Sequence, residues 1–262
     1  MGSEVLDTHV SPITVSELRA ALAGSAPPLV IDVRKRAAFL EATQTISGAL
    51  RREPATVDAW KSALPASGSI VVYCVHGHEV SQGVASALAE HGLTARYLEG
   101  GIAAWTDAGG ALDRKPRGAS TRWVTRERPK IDRIACPWLV SRFVDSEASF
   151  VYVPAAQVLE ASAAQEAVPY DISGVHFGHE GEKCSFDAFL AHYRLRDPGL
   201  LKMALIVRGA DTGRPDLAPQ VPGLSAISLG LSRNFADDHE MLAHGLVMYD
   251  ALYTWCRQGT RE

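Results

Sequence analysis

Cys74 is followed by Val75-His76-Gly77-His78-Glu79-Val80-Ser81. This short polar stretch separates the apolar run Ser69-Ile70-Val71-Val72-Tyr73 from a segment, Val80 to His91, with a helical apolar repeat. A thiol so placed lies at the carboxyl end of a buried strand, where ligands bind in open α/β folds. It also faces a helix N-terminus, whose unpaired N–H groups and positive dipole end lower a thiol's pKa and hold an anion beside it. Both effects make Cys74 a nucleophile; the plainer reading is an inert thiol at a strand end. A second set of candidate ligands is His176-Phe177-Gly178-His179-Glu180, with Cys184 just ahead of a helix capped by Ser185. Such groups bind zinc, iron or manganese when joined by Asp211, or by His239 and His244 of the last helix. The expected metal set is His179, Cys184, Asp211 and His239, against the alternative that these are surface groups and caps.

The elements that must position these residues follow from local patterns. Thr14-Val15-Ser16-Glu17 has the spacing of a capping box and opens a helix that Pro27-Pro28 ends. Leu29 to Val33 and Ser69 to Tyr73 are short β-branched runs of the kind buried on both faces of a parallel sheet. Ala95 to Leu98 reads as a third strand, leading through Glu99-Gly100-Gly101 to a short helix with Trp105 in the core. Strands alternating with helices predict an α/β parallel sheet over residues 1–110. From Asp107 to Thr121 periodicity is lost and Gly, Pro and charge accumulate, so residues 111–121 are expected to be a linker.

Residues 122–262 have a different texture. Ile131 to Asp145 reads as an amphipathic helix that Pro137 must either open or kink. A strand is expected at Phe150 to Val153 and a weaker one at Val168 to Ile172. Further helices are expected at Ser185–Tyr193, Pro198–Arg208, Leu224–Leu231 and Asp237–Cys256, making a mostly helical α+β domain. Asp132/Arg133 and Arg142/Asp145 read as ion pairs on a helix face.

Composition bounds the function. The chain has 262 residues, 47% hydrophobic and 21% charged, which excludes disordered, collagen-like and coiled-coil classes. A net charge of -4 leaves no basic footprint for nucleic acid. Cys74, Cys136, Cys184 and Cys256 form no C-x-x-C pair, so neither a disulfide framework nor a zinc ribbon is expected. With no apolar run of membrane-spanning length and no basic, apolar leader at the start, the expectation is a cytoplasmic protein without membrane partners.

The combination of Ile31-Asp32-Val33-Arg34, YCVHGHEVSQGVASALAEHGL around Cys74 and YLEGGIAAW ending at Trp105 resembles a single rhodanese domain. The resemblance implies a persulfide on Cys74 and an anion cradle formed by Val75, His76, Gly77, His78, Glu79, Val80 and Ser81. It places Asp32 and Arg34 at a strand end that supports the loop, and counts them with the substrate-binding residues. The implied activity moves sulfane sulfur from a thiosulfate-like donor to a thiol acceptor and requires no cofactor. The loop is one residue longer than the usual sulfurtransferase loop and closer to those of related phosphatases and arsenate reductases. Those enzymes end the loop on an arginine, whereas this chain has Glu79 and lacks the guanidinium that would neutralise a tetrahedral dianion. The stretch Gln44-Thr45-Ile46-Ser47-Gly48 also departs from the family pattern.

Three further stretches, RWVTRERPKIDRIACPWLVSRFVD, YDISGVHFGHEGEKCSFDAFL and FADDHEMLAHGLVMYDALYTWC, with Ile206 to Asp211, resemble the ChrB-type domain associated with chromate resistance. The whole then reads as a rhodanese-type sulfurtransferase coupled to a chromate-resistance or oxidative-stress domain. The alternatives are an oxyanion or redox sensor, or metal-dependent redox activity in the second half. Cys184, in a polar loop, is the better candidate than Cys136 for accepting sulfur from Cys74.

Overall fold

A computed structural model describes residues 10–258, which form two compact units divided between Gly118 and Ala119. The first contains β1 (Pro12–Ile13), α1 (Val15–Ala23), β2 (Leu29–Asp32), α2 (Arg36–Glu41), β3 (Gln44–Ile46), β4 (Leu50–Arg51), α3 (Val57–Trp60), β5 (Ser69–Tyr73), α4 (Glu79–Glu90), β6 (Thr94–Leu98), α5 (Gly101–Asp107) and β7 (Leu112–Arg114). Five strands make one parallel sheet in the order β1-β6-β5-β2-β4. β2 and β5 are central and flanked by strands on both sides, so their residues from Leu29 to Asp32 and from Ile70 to Tyr73 are all buried. Helix α1 starts as its sequence requires: Glu17 N–H donates to Thr14 Oγ1 at 3.2 Å and Thr14 N–H donates to Glu17 Oε2 at 2.8 Å. Trp105 is buried, and its Nε1–H donates to Ala111 O at 3.0 Å.

The stretch expected as a linker is structured. β7 pairs antiparallel with β3, Ile46 opposite Leu112. Lys115 is buried and its Nζ donates to Leu40 O and Pro116 O. The glycines and charges of 107–118 are turn and edge chemistry around a short strand, which composition alone does not separate from a linker.

The second unit comprises β8 (Arg122–Arg126), α6 (Asp132–Leu139), β9 (Ser149–Val153), α7 (Val158–Gln165), β10 (Val168–Pro169), α8 (Ser185–His192), α9 (Pro198–Thr212), α10 (Val221–Asn234) and α11 (Asp238–Gln258). Its parallel sheet runs β10-β8-β9. The sequence reading lacked β8, and β10 is shorter than expected: Tyr170 N–H still donates to Val124 O, but the chain turns away at Asp171, φ +51°. Pro137 falls inside α6. The carbonyl it would have bonded, Arg133 O, accepts instead from Tyr170 Oη at 3.4 Å. Beyond it the helix widens into a π turn, Val140–Val144, closed by Asp145 N–H on Val140 O at 2.8 Å.

The expected helix-face ion pairs are not formed. Arg133 goes to Asp171 at 3.0 Å and Arg142 to Asp250 at 2.8 Å. Asp145 follows the π turn, where it accepts from Ser120 Oγ, Thr121 N and Thr121 Oγ1. Adjacent helical residues such as Asp132 and Arg133 point about 100° apart and do not face each other. Among the described residues no helix is long and apolar enough to cross a membrane.

The end of β2 rests on a buried ion pair. Arg34 Nε donates to both Asp32 oxygens at 2.9 Å, Tyr73 Oη donates to Asp32 Oδ2 at 2.9 Å, and the two charged side chains are 1% and 3% exposed. Removing one partner of such a pair strands the other charge and costs about 3–5 kcal/mol. Asp32→Ala is therefore expected to lower the unfolding free energy read from urea denaturation by that amount, while Asp32→Leu/Arg34→Met together lose much less. Equal losses in the two variants would show that the pair does not act as a unit.

Candidate functional site

Cys74 leaves the carboxyl end of β5, and the chain reaches α4 at Glu79 after only four residues. To turn that sharply, Gly77 adopts φ +74°, and a Cβ there would collide with Leu98 O and lie 2.8 Å from Gly100 N. Gly101 has φ +59°, and its Cβ would sit 2.5 Å from both Cys74 O and Val75 O. Those carbonyls accept from the first amides of α5, Ile102 N–H at 3.0 Å and Ala103 N–H at 3.1 Å. Gln82 Nε2 closes the loop by donating to Gly77 O at 3.0 Å.

The Cys74 thiol is 7% exposed, and its Sγ lies 3.2 Å from Ser81 Oγ. Burial pushes its pKa up. The Ser81 hydroxyl and the backbone N–H groups of Ser81, His76 and His78 outweigh that, holding it below the ordinary thiol value. Ser81 is itself buried, and its hydroxyl also lies 3.1 Å from His78 O. A single hydroxyl proton serves one of these acceptors at a time, so a thiolate at Cys74 draws it away from the carbonyl. His76, His78 and Glu79 are exposed around the loop, and Val75 and Val80 are half-buried. The imidazole rings of His76 and His78 stand 6.0 Å apart.

Asp32 and Arg34 do not line this site. Both are buried, and Arg34 is spent on Asp32 and on Gln44 O at 3.0 Å. Their role is to brace the strand end: the Arg34 guanidinium is buried, bonded through Nε and Nη2 and packed over the Phe39 and Tyr73 rings.

The second unit carries another cluster of ionisable groups. His179 Nε2 lies 3.4 Å from Asp132 Oδ2, 3.2 Å from Asp171 Oδ1 and 3.1 Å from Asp211 Oδ2. Asp132 is the first residue of α6, Asp211 belongs to the last turn of α9, and His179 comes from the loop before α8. Asp171 is paired with Arg126 at 2.7 Å and Arg133 at 3.0 Å. The hydrogen bond that His179 donates to Asp132 raises the His179 pKa to about 9, against the opposing effect of burial. Burial, followed by the charge of Asp132, raises that of Asp211 to about 8. Two backbones here are strained: Asp171 has φ +51°, and Ile131, just before Asp132, has φ +44°. Ser228 Oγ, 2.7 Å from Ile131 N, and Tyr249 Oη, 2.8 Å from Ile131 O, hold the latter in place.

Of the expected metal set, the structure brings together only His179 and Asp211 and adds Asp132, which the sequence reading had placed on a helix face. Cys184 is fully buried as the N-cap of α8, tied through its N–H and Sγ to Asp187 Oδ2. Burial and then Asp132 push its thiol far up, and the same two effects raise Cys136. The expectation of an exposed, sulfur-accepting Cys184 is thereby corrected: the capping geometry faces its sulfur inward. His239 is exposed and packs edge-on against Tyr152 at 5.4 Å, His244 stacks on Phe235 at 4.5 Å, and His176 Nε2 lies 2.8 Å from His192 Nδ1. The missed signals were Asp132 and Asp171. Each stands beside a residue with a strained backbone or is one itself, and a single sequence does not display that strain.

Comparison with known proteins agrees with this division. Residues 14–108 match the family model of the rhodanese-like domain, and residues 123–256 match that of the ChrB C-terminal domain. A curated relative, Protein ChrB of Cupriavidus metallidurans, is 30% identical over 134 residues, 51% of this chain but only 40% of the relative's length. Similar solved structures include a rhodanese-like domain protein from Staphylococcus aureus, 27% identical, with TM-score 0.36, covering 41% of this chain and 100% of its own. Another is a rhodanese-related protein from Thermoplasma volcanium, 22% identical, with TM-score 0.35, covering 39% of this chain and 97% of its own. With just over half of its length matched by that model, this chain belongs to the ChrB C-terminal domain family, its family domain preceded by a rhodanese-like domain.

Proposed function

We propose that Cys74 performs rhodanese-type sulfur transfer and that the ChrB-type unit couples it to chromate resistance or oxidative-stress handling. The observation that carries this reading is the nearly buried Cys74 thiol set 3.2 Å from the Ser81 hydroxyl at the end of β5, where that hydroxyl and the amides of His76, His78 and Ser81 lower its pKa. The Cys74 thiolate attacks the outer sulfur of a thiosulfate-like donor, the S–S bond of the donor breaks, and sulfite leaves with the electron pair. Cys74 then carries a persulfide whose terminal sulfur is anionic. An acceptor thiol takes that sulfur, its proton moving to the solvent or the loop, and Cys74 returns as thiolate. Backbone N–H groups that face the sulfur stabilise the anion at each stage without reorganising. With no arginine in the loop, a singly charged persulfide suits the cradle better than a tetrahedral dianion.

Thiosulfate:cyanide transfer is expected for the full chain and to be lost in Cys74→Ser. Intact mass after thiosulfate treatment should rise by one sulfur in the wild type only. Protection of Cys74 from alkylation by thiosulfate without that mass gain would instead support an anion sensor.

Ser81→Ala removes a hydrogen bond to the thiolate. The pH midpoint of iodoacetamide alkylation at Cys74 is expected below that of an ordinary thiol in the wild type, and to move upward in the variant. An unchanged midpoint would remove Ser81 from the activation of the thiol.

A further inference from the structure

We propose that Asp132, His179 and Asp211 form a binding site for a divalent first-row transition cation, separate from the chemistry of Cys74. Asp132, His179 and Asp211 are the one group of three or more potential metal-ligating side chains, among the described residues, whose donor atoms lie within 4.8 Å of one another.

The evidence beyond proximity is Asp132 itself. It is 1% exposed, its Oδ2 faces His179, and its Oδ1 is buried without a hydrogen-bond partner. The other buried aspartates are satisfied at both oxygens. Asp32 is held by Arg34 and Tyr73, and Asp145 by Ser120, Thr121 and Glu147 N–H. Asp171 is held by Arg126, Arg133 and Ser185, and Asp187 by Arg208 and Cys184 N–H. A buried carboxylate oxygen left unpaired is destabilising, and a cation is a partner that relieves it. Arg126 and Arg133 are committed to Asp171, and the ligand oxygens of Asp132 and Asp211 lie within 4.8 Å of each other. His179 Nε2 carries at most one hydrogen, yet three carboxylate oxygens stand within 3.4 Å of it.

The spacing fits an ion. Donors about 2.2 Å from a metal and at right angles are about 3.1 Å apart, and the separations from His179 Nε2 to Asp211 and Asp132 are 3.1 and 3.4 Å. Two carboxylates and an imidazole, with no sulfur, suit Mn(II) or Fe(II); the imidazole disfavours Mg(II) and Ca(II). Three protein donors from three elements leave coordination positions open, and His179, 42% exposed, is on the side from which an ion enters.

The test uses the full chain without a histidine tag, stripped with chelator and titrated with Mn(II), read by the loss of the free-ion electron paramagnetic resonance signal. About one equivalent per chain is expected to bind. Asp132→Asn, Asp211→Asn and His179→Gln should each weaken binding by about tenfold or more, while His239→Gln and His244→Gln leave it unchanged. Mn(II) should raise the melting temperature of the wild type and not of the three ligand variants. Asp211→Asn keeps the shape of the side chain while taking one carboxyl out of the crowded cluster, so its metal-free form should melt no lower than the wild type and serves as the folded control. Should Asp132→Asn fail to fold, His179→Gln, on an exposed loop residue, decides the matter. Binding unaltered in folded Asp211→Asn and His179→Gln would overturn the site, as would no binding by the wild type. Displacement of Mn(II) by equimolar Mg(II) or Ca(II) would overturn its transition-metal character. Sulfur transfer at Cys74 is measured separately and does not bear on any of these outcomes.

Discussion

A carboxylate taken out of water must find donors or a positive charge, and this requirement organises much of both units. Asp32 draws Arg34 and Tyr73 together and so joins the end of β2 to β5. Asp145, at the close of the π turn, gathers Ser120 and Thr121 and ties the start of the second unit to α6. Asp187 caps α8 and receives Arg208 from α9 at 2.8 Å. Each of these side chains fixes where two elements meet, because an unsatisfied charge would cost more than most single packing contacts contribute. Apolar burial supplies the bulk of the driving force, but it is non-directional; the aspartates set the register.

The two candidate sites sit at opposite extremes of this economy of charge. Around Cys74 the anion is stabilised by one hydroxyl, that of Ser81, and by backbone amides, with the side chains of His76, His78 and Glu79 turned to solvent. Around His179 negative side chains are crowded in excess, and two arginines quiet only one of them. The first arrangement fits an anion that appears and leaves during a reaction. The second fits a positive ion that stays. Neither requires an unusual fold: a parallel sheet presents the first at a strand end, and three converging helices and loops present the second.

How far the sequence foretold this varies with the range of the interactions involved. The capping box at Thr14, the strand and helix flanking Cys74, and Ser81 within the loop depend on neighbours a few residues apart, and the pattern displayed them. Strand β7 depends on pairing with β3, more than sixty residues earlier, and its turn-rich composition concealed it. The partners of Arg133 and Arg142 lie in Asp171 and Asp250, so reading charges by local spacing paired them wrongly. Cys184 illustrates the opposite failure. Its polar neighbours suggested exposure, whereas its role as a helix cap turns the thiol inward. His179 and Asp211 were recognisable by residue type, but Asp132 was disguised by its position in the first turn of a helix, where an acidic residue has an ordinary dipole role.

The hydrogen bonds from α5 to the carbonyls of Cys74 and Val75 have a consequence for the sulfur that neither helix nor sulfur reveals alone. A trans peptide is a rigid plane in which the carbonyl and the following N–H point opposite ways. Anchoring Val75 O on Ala103 N–H at 3.1 Å therefore aims the His76 N–H away from α5, toward Cys74. The helix acts on the thiol through a see-saw one peptide wide. Tilting α5, or forcing a side chain onto Gly101 where it meets both carbonyls, would turn that N–H off the sulfur without touching the cysteine, so the reactivity of Cys74 is partly set by a helix that begins twenty-seven residues downstream.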